Sequence, residues 1–177
     1  MPNVDKPLVN RVANSGLLTL NLEDYFPTAE RVVFDLKDYL YMELILKEKD
    51  FRAALEAHDW TRYADRQLLV YCSTDAIIPV WAYMLVATYA TPHVAGVFQG
   101  TEAEFLKAHY HRVVGGIDAG AYADKRIVIK GCSDQPVPPE AYVALTAKLR
   151  PYARTLMYGE PCSTVPIYQR PRQQAKG

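Results

Sequence analysis

The stretch from Asp59 to Cys72 is written a second time, with substitutions, from Asp118 to Cys132. The paired positions are Asp59/Asp118, Tyr63/Tyr122, Ala64/Ala123, Asp65/Asp124 and Arg66/Lys125, followed by the aliphatic triplets Leu68-Leu69-Val70 and Ile127-Val128-Ile129. One extra residue, Gly131, intervenes, and the match resumes at Cys72/Cys132 and Ser73/Ser133. It then runs through Pro79/Pro139, Ala82/Ala141, Tyr83/Tyr142, Pro92/Pro151 and Gly100/Gly159. Any two strand-helix units share tyrosines, Asp-Lys pairs and aliphatic runs, but the length of the paired run favours duplication of a strand-helix-strand unit, at 59–101 and 118–160.

The residues inside each copy agree with that reading. Gln67 to Tyr71 and Arg126 to Lys130 are short, β-rich and bounded by turn formers, as buried strands are. Pro79 and Pro139 suit a first helical turn, where a missing N–H is no loss. Val80 to Ala90 is apolar on every side, which predicts a buried helix, whereas Ala141, Leu145 and Leu149 make a single stripe. Thr101 and Glu104 have capping-box spacing for a linking helix through Val113 that turns Phe105, Leu106, Tyr110 and Val113 inward. Strands and helices alternating at these lengths imply an α/β fold with a mostly parallel sheet and helices on both faces. Ligands of such sheets bind beyond the carboxyl ends of the strands.

The first half is less regular. Leu18, Leu20 and Leu22 alternate as in a strand, Val32 to Leu36 is a second strand candidate, and Asp50 has the place of a cap for a helix from Phe51 to His58. Lys37 to Lys47 is compatible with helix or strand. We expect one domain over residues 1–168 and a disordered basic tail over 169–177.

Twenty basic and twenty acidic side chains cancel, so no global field draws the chain to nucleic acid or an anionic membrane. The charge-free stretch from Ala76 to Thr101 is cut by Pro79 and Pro92 and lacks the roughly twenty unbroken apolar residues of a bilayer span. Met1 to Lys6 is short and polar, without the pattern of a secretory leader, and a cytoplasmic location is expected. A homodimer is compatible with the thirteen tyrosines, some of which could line a subunit interface.

All three cysteines precede a serine, at Cys72-Ser73, Cys132-Ser133 and Cys162-Ser163, in a chain with four serines. Each pair follows a predicted strand. If those strands were neighbours in one sheet, three thiols would meet at its carboxyl edge. Three thiolates suit zinc with an open position, or an iron-sulfur cluster with one non-cysteine ligand, and Ser73, Ser133 and Ser163 could donate hydrogen bonds to sulfur. Asp75, Asp134 and Glu160 are candidate fourth ligands. No pair has C-x-x-C spacing, so the case rests on topology. Two alternatives stay open. One is a thiol nucleophile activated at a helix N-terminus, with His58, His93, His109 or His111 as base. The other is an interaction protein whose Cys-Ser pairs are compact turns with inert buried thiols.

The words NRVANSGLLTL from Asn10, LILKEKDFR from Leu44, CSTDAIIPVWAYML from Cys72, KGCSDQPVPPEAYV from Lys130 and MYGEPCSTVPIY from Met157 resemble a bacterial family catalogued as domain of unknown function 2480. The resemblance covers nearly the whole chain and brings no activity. It implies a context of iron-sulfur assembly, with assembly proteins as the expected partners.

Overall fold

The computed structural model describes residues 10–11, 16–131 and 134–171. Its strands are β1 (Asn10–Arg11), β2 (Leu17–Leu20), β3 (Arg31–Asp35), β4 (Leu40–Tyr41), β5 (Ile45–Leu46), β6 (Gln67–Tyr71), β7 (Gly96–Gln99), β8 (Arg126–Ile129), β9 (Thr155–Glu160) and β10 (Ser163–Gln169). The helices are α1 (Glu48–Ala57), α2 (Val80–Ala90), α3 (Glu102–Gly116) and α4 (Pro139–Leu149). The fold is mixed α/β with parallel pairing dominant among the longer strands, as the alternating pattern predicts.

Where one sheet was expected there are two principal ones, in two compact units. The first unit is Met1–Phe26 together with Lys107–Gly177, and the second is Pro27–Leu106. The second unit holds the parallel sheet β3-β6-β7 and the short hairpin β4-β5. In the first, β2, β8 and β9 are parallel, and β1 and β10 add antiparallel edges.

Each sheet is built by the same local rules. Buried Leu68 and Val70 of β6 join Phe51 and Leu55 of α1 and Ala82, Val86 and Ala90 of α2 in one cluster, to which Leu69 does not belong. Strand side chains alternate between faces, so both helices lie on the Leu68/Val70 face. Monotone strand order with crossovers of one hand requires this, whereas the sequence pattern suggested helices on both faces. The first unit repeats the arrangement: Ile127 and Ile129 cluster with Tyr110 and Val114 of α3 and Ala141, Leu145 and Leu149 of α4.

Equivalent turns precede β6 and β8. Asp59 and Asp118 cap 3-10 turns by accepting from Thr61 N and Gly120 N, and Asp65 and Asp124 both take positive φ, at 61° and 57°. Aspartate tolerates this left-handed conformation better than most residues.

The helix signals fared unevenly. The capping box stands, with Thr101 N donating to Glu104 Oε2 at 2.7 Å and Glu104 N to Thr101 Oγ1 at 3.4 Å. Gly115 and Gly116 lie within α3. The helix expected from Phe51 starts at Glu48, so Asp50 belongs to its first turn instead of capping it. Lys37 to Lys47 resolves into a 3-10 turn (Leu36–Tyr39) and the β4-β5 hairpin. Helix α2 is not buried all round: Ala82, Val86 and Ala90 are, but Val80 and Met84 face outward. Among the described residues no helix is long and apolar enough to cross a membrane.

Candidate functional site

The carboxyl edge of the first unit's sheet carries an open pocket of about 450 Å³. Strand β8 ends at Ile129, Lys130 N still donates to Leu20 O at 2.9 Å, and Gly131 follows. A Cβ on Gly131 would stand 2.6 Å from Tyr158 Cζ, so the absence of a side chain is what lets the Tyr158 ring lie across the strand end. Tyr158 Oη donates to Gly131 O at 3.3 Å, and Tyr142 meets the same ring edge-on at 5.8 Å. Pro136, Val137 and Pro139 complete the apolar wall, and Gln135 contributes the amide. Val137 N donates to Gln135 O at 2.8 Å, closing a tight turn at Pro136; Pro138 is extended, and Pro139, at the first helical turn, opens α4.

Glu23 anchors the loop beside the pocket. It stands in the 3-10 turn Leu22–Tyr25 that directly follows β2, with Asn21 as cap. Its Oε1 accepts from Asp134 N at 2.9 Å and Gln135 N at 3.1 Å. Burial, with Tyr158 and Glu23 nearby, raises the Tyr142 phenol above its ordinary pKa. Burial, with Tyr142 and Glu23, pushes Tyr110 up to about 12, and its hydroxyl donates to Leu22 O at 3.0 Å. At the end of β9, Glu160 Oε1 is buried with no hydrogen-bond partner among the described residues.

The second unit anchors its corresponding loop differently. Asp35 caps the turn after β3, and its Oδ1 accepts from Lys37 N and Ser73 N, each at 3.0 Å. Partial burial opposes its ionisation, but the Ser73 hydroxyl, the N–H groups of Lys37 and Ser73 and the Lys37 charge prevail and hold its carboxyl below the usual range. Lys37 stands at the second turn position, where the first unit has Glu23.

The three-cysteine metal or iron-sulfur site is corrected by this topology. Cys72 follows β6 of the three-stranded sheet, whereas Cys162 lies in the β9-β10 turn of the five-stranded sheet. The premise of one shared sheet edge therefore fails. Cys72 and Cys162 are free thiols that do not cluster, and among the described residues no three His, Cys, Asp or Glu side chains form a group that could hold a metal. Cys132 and Ser133 lie outside the described residues. Ser73 spends its N–H on Asp35, Ser163 opens β10, and Cys72 Sγ is 3.2 Å from Thr74 Oγ1. His58 lies between two phenols, its Nε2 3.1 Å from Tyr63 Oη and its Nδ1 3.4 Å from Tyr39 Oη, while His109 Nε2 bonds Tyr25 O at 2.7 Å.

Sequence spacing does not single out Glu23, Tyr142 and Tyr158 together, because they come from the turn after β2, from α4 and from β9. A signal was present: Asn21-Leu22-Glu23-Asp24-Tyr25, directly after β2, is echoed by Asp35-Leu36-Lys37-Asp38-Tyr39, which starts at the last residue of β3. The motif changes charge at its third position, from Glu23 to Lys37.

No curated protein and no solved structure matches the chain. One family model does, over residues 6–170, and the chain belongs to the family described as "Protein of unknown function (DUF2480)".

Proposed function

We propose that the first unit binds a small planar molecule, neutral or cationic and rich in N–H donors, in the pocket between Gly131, Tyr142 and Tyr158. The observation that carries this reading is the position of the pocket at the carboxyl ends of parallel strands, where open α/β sheets bind ligands. Its volume falls within the ordinary range for small-molecule sites, roughly 300–1,000 Å³. Tyrosine and proline walls favour a flat ring. Among the described residues no lysine or arginine lines it, and Glu23 stands behind the loop, which disfavours an anion. A cationic ring would gain further from the tyrosine faces.

Adenine and benzamidine, with benzoate as the anionic counterpart, are suitable probes in saturation-transfer NMR and calorimetry. The reading expects the amino compounds to bind and benzoate not to, with Tyr142→Ala or Tyr158→Ala weakening binding about two- to tenfold, the scale of one lost aromatic contact. Preference for benzoate, or indifference to both substitutions, refutes it.

We further read the two units as copies of one ancestral β-turn-α-turn-β-α-β module, the second inserted into the first between Phe26 and Lys107. The shared caps at Asp59 and Asp118, the shared positive φ at Gly100 and Gly159 and the echoed Asn/Asp-Leu-x-Asp-Tyr turns support it. The two free thiols are consistent with a reducing, cytoplasmic compartment.

A further inference from the structure

Helix α2 contains no charged residue, and its sequence, Val80 to Ala90, is that of a helix covered on every side. One side is open. Ile77, just before the helix, Val80 and Met84 form an outward apolar stripe, continued by exposed Thr88 at the same spacing. A second open apolar feature belongs to the same unit. The β4-β5 hairpin presents Tyr41, Met42, Leu44 and Ile45, and exposures across the two features run from 51% at Tyr41 to 92% at Ile77.

The hairpin turn is built against local preference. Met42 and Glu43 both take positive φ, 52° and 60°, a turn that asparagine and glycine favour. Turn chemistry does not explain a methionine there; an exposed apolar knob does. The two features are anchored on one core. Tyr39, at the base of the hairpin, packs edge-on against Phe51 at 5.4 Å, and Phe51 meets Trp81 of α2 at 6.2 Å. The base of the hairpin and the inward side of α2 thus pack on one aromatic core around buried Phe51, within a single unit.

We propose that this surface is a two-fold interface with a second copy of the chain, the hairpin of each copy seated on the α2 stripe of the other. Two apolar patches on one unit are both covered at once by a two-fold operation, because a patch that meets its complement on a partner returns the same contact. The area is of the right scale: covered completely, the exposed parts of the seven large side chains would supply on the order of 900 Å² per copy, against roughly 800 Å² per partner in a standard stable interface. The stripe is charge-free, as the core of an interface is, and Lys47, over the Tyr41 ring at 3.2 Å, supplies a charged rim.

Sedimentation velocity of the full chain over a hundredfold concentration range tests this. The expected result is a species of twice the 20.0 kDa chain mass. Met42→Glu and Met84→Lys, each at an exposed site and each checked for native circular dichroism, should raise the dimer dissociation constant at least tenfold. The double variant Met42→Glu/Met84→Lys should recover association, since the two new charges would then face each other across the two-fold. A monomeric wild type, a dimer indifferent to both single variants, or a double variant no tighter than the singles overturns the proposal. Recruitment of a different protein to this surface by a chain that is itself monomeric overturns it equally.

Discussion

Substituting Gly131 by alanine separates the steric role of this glycine from its backbone role. The new Cβ would lie 2.6 Å from Tyr158 Cζ and 2.9 Å from Cε1 and Oη, too close for any real contact, so the ring must swing away. That movement gives up the edge contact with Tyr142, worth about 0.5–1.5 kcal/mol. It also gives up the Tyr158 bond to Gly131 O, worth about 0.5–1.5 kcal/mol net. Alanine restricts the unfolded chain and returns about 0.4–1 kcal/mol, because Gly131 is not among the glycines at positive φ. The balance is a loss of about 1–2 kcal/mol. In a Tyr158→Ala background the Cβ no longer meets the ring, and only the unfolded-state gain remains. The same substitution should then be neutral or stabilising by about 0.4–1 kcal/mol. Urea unfolding of the four proteins, followed by far-ultraviolet circular dichroism, gives the coupling directly. Equal costs of Gly131→Ala in both backgrounds, with a coupling below about 0.5 kcal/mol, would refute the steric argument and the description of the pocket wall with it.

Gly159→Ala should cost more than Gly131→Ala, at least about 2 kcal/mol, because φ is 122° and the Cβ would meet the Ser163 carbonyl at 2.5 Å, which is backbone and cannot swing aside; hydrogen exchange should locate the loss in β9 and β10. Thr101→Ala removes one half of the capping box and should lower stability by about 1 kcal/mol, with faster exchange confined to the first turn of α3. Asp35 has a depressed folded pKa, so its contribution is complete above the unfolded carboxylate value near 4 and disappears as pH falls through the folded value. An Asp35→Asn variant should therefore be less stable than the wild type at neutral pH, and the gap should close in acid; a constant difference across that window would count against the cap. Tyr110, raised to about 12, stabilises the fold fully below the unfolded value near 10 and loses that effect as pH climbs toward 12. Spectrophotometric titration of a Tyr110→Phe variant should accordingly lack one late-ionising phenol.

Local chemistry in the sequence was enough for most elements. Aliphatic triplets bounded by turn formers became β6 and β8, the Ala141, Leu145 and Leu149 stripe became the buried side of α4, and Thr101 and Glu104 capped α3, since each depends on residues within a few positions of one another. Sheet membership does not. It is decided by hydrogen bonds between strands far apart in sequence, and here β3 pairs with β6 while β2 pairs with β8, yielding two sheets where one was expected. The exposed side of α2 was hidden for the same reason, because its uniformly apolar composition does not mark which side the rest of the chain leaves open. The internal correspondence between Cys72 and Cys132 also argues against a shared thiol edge. Matching positions in two similar units follow corresponding strands, β6 and β8, and those strands belong to different sheets. What remained for the tertiary structure to bring together was a different set, Glu23, Gly131, Tyr142 and Tyr158, drawn from β9, α4 and the loops that follow β2 and β8.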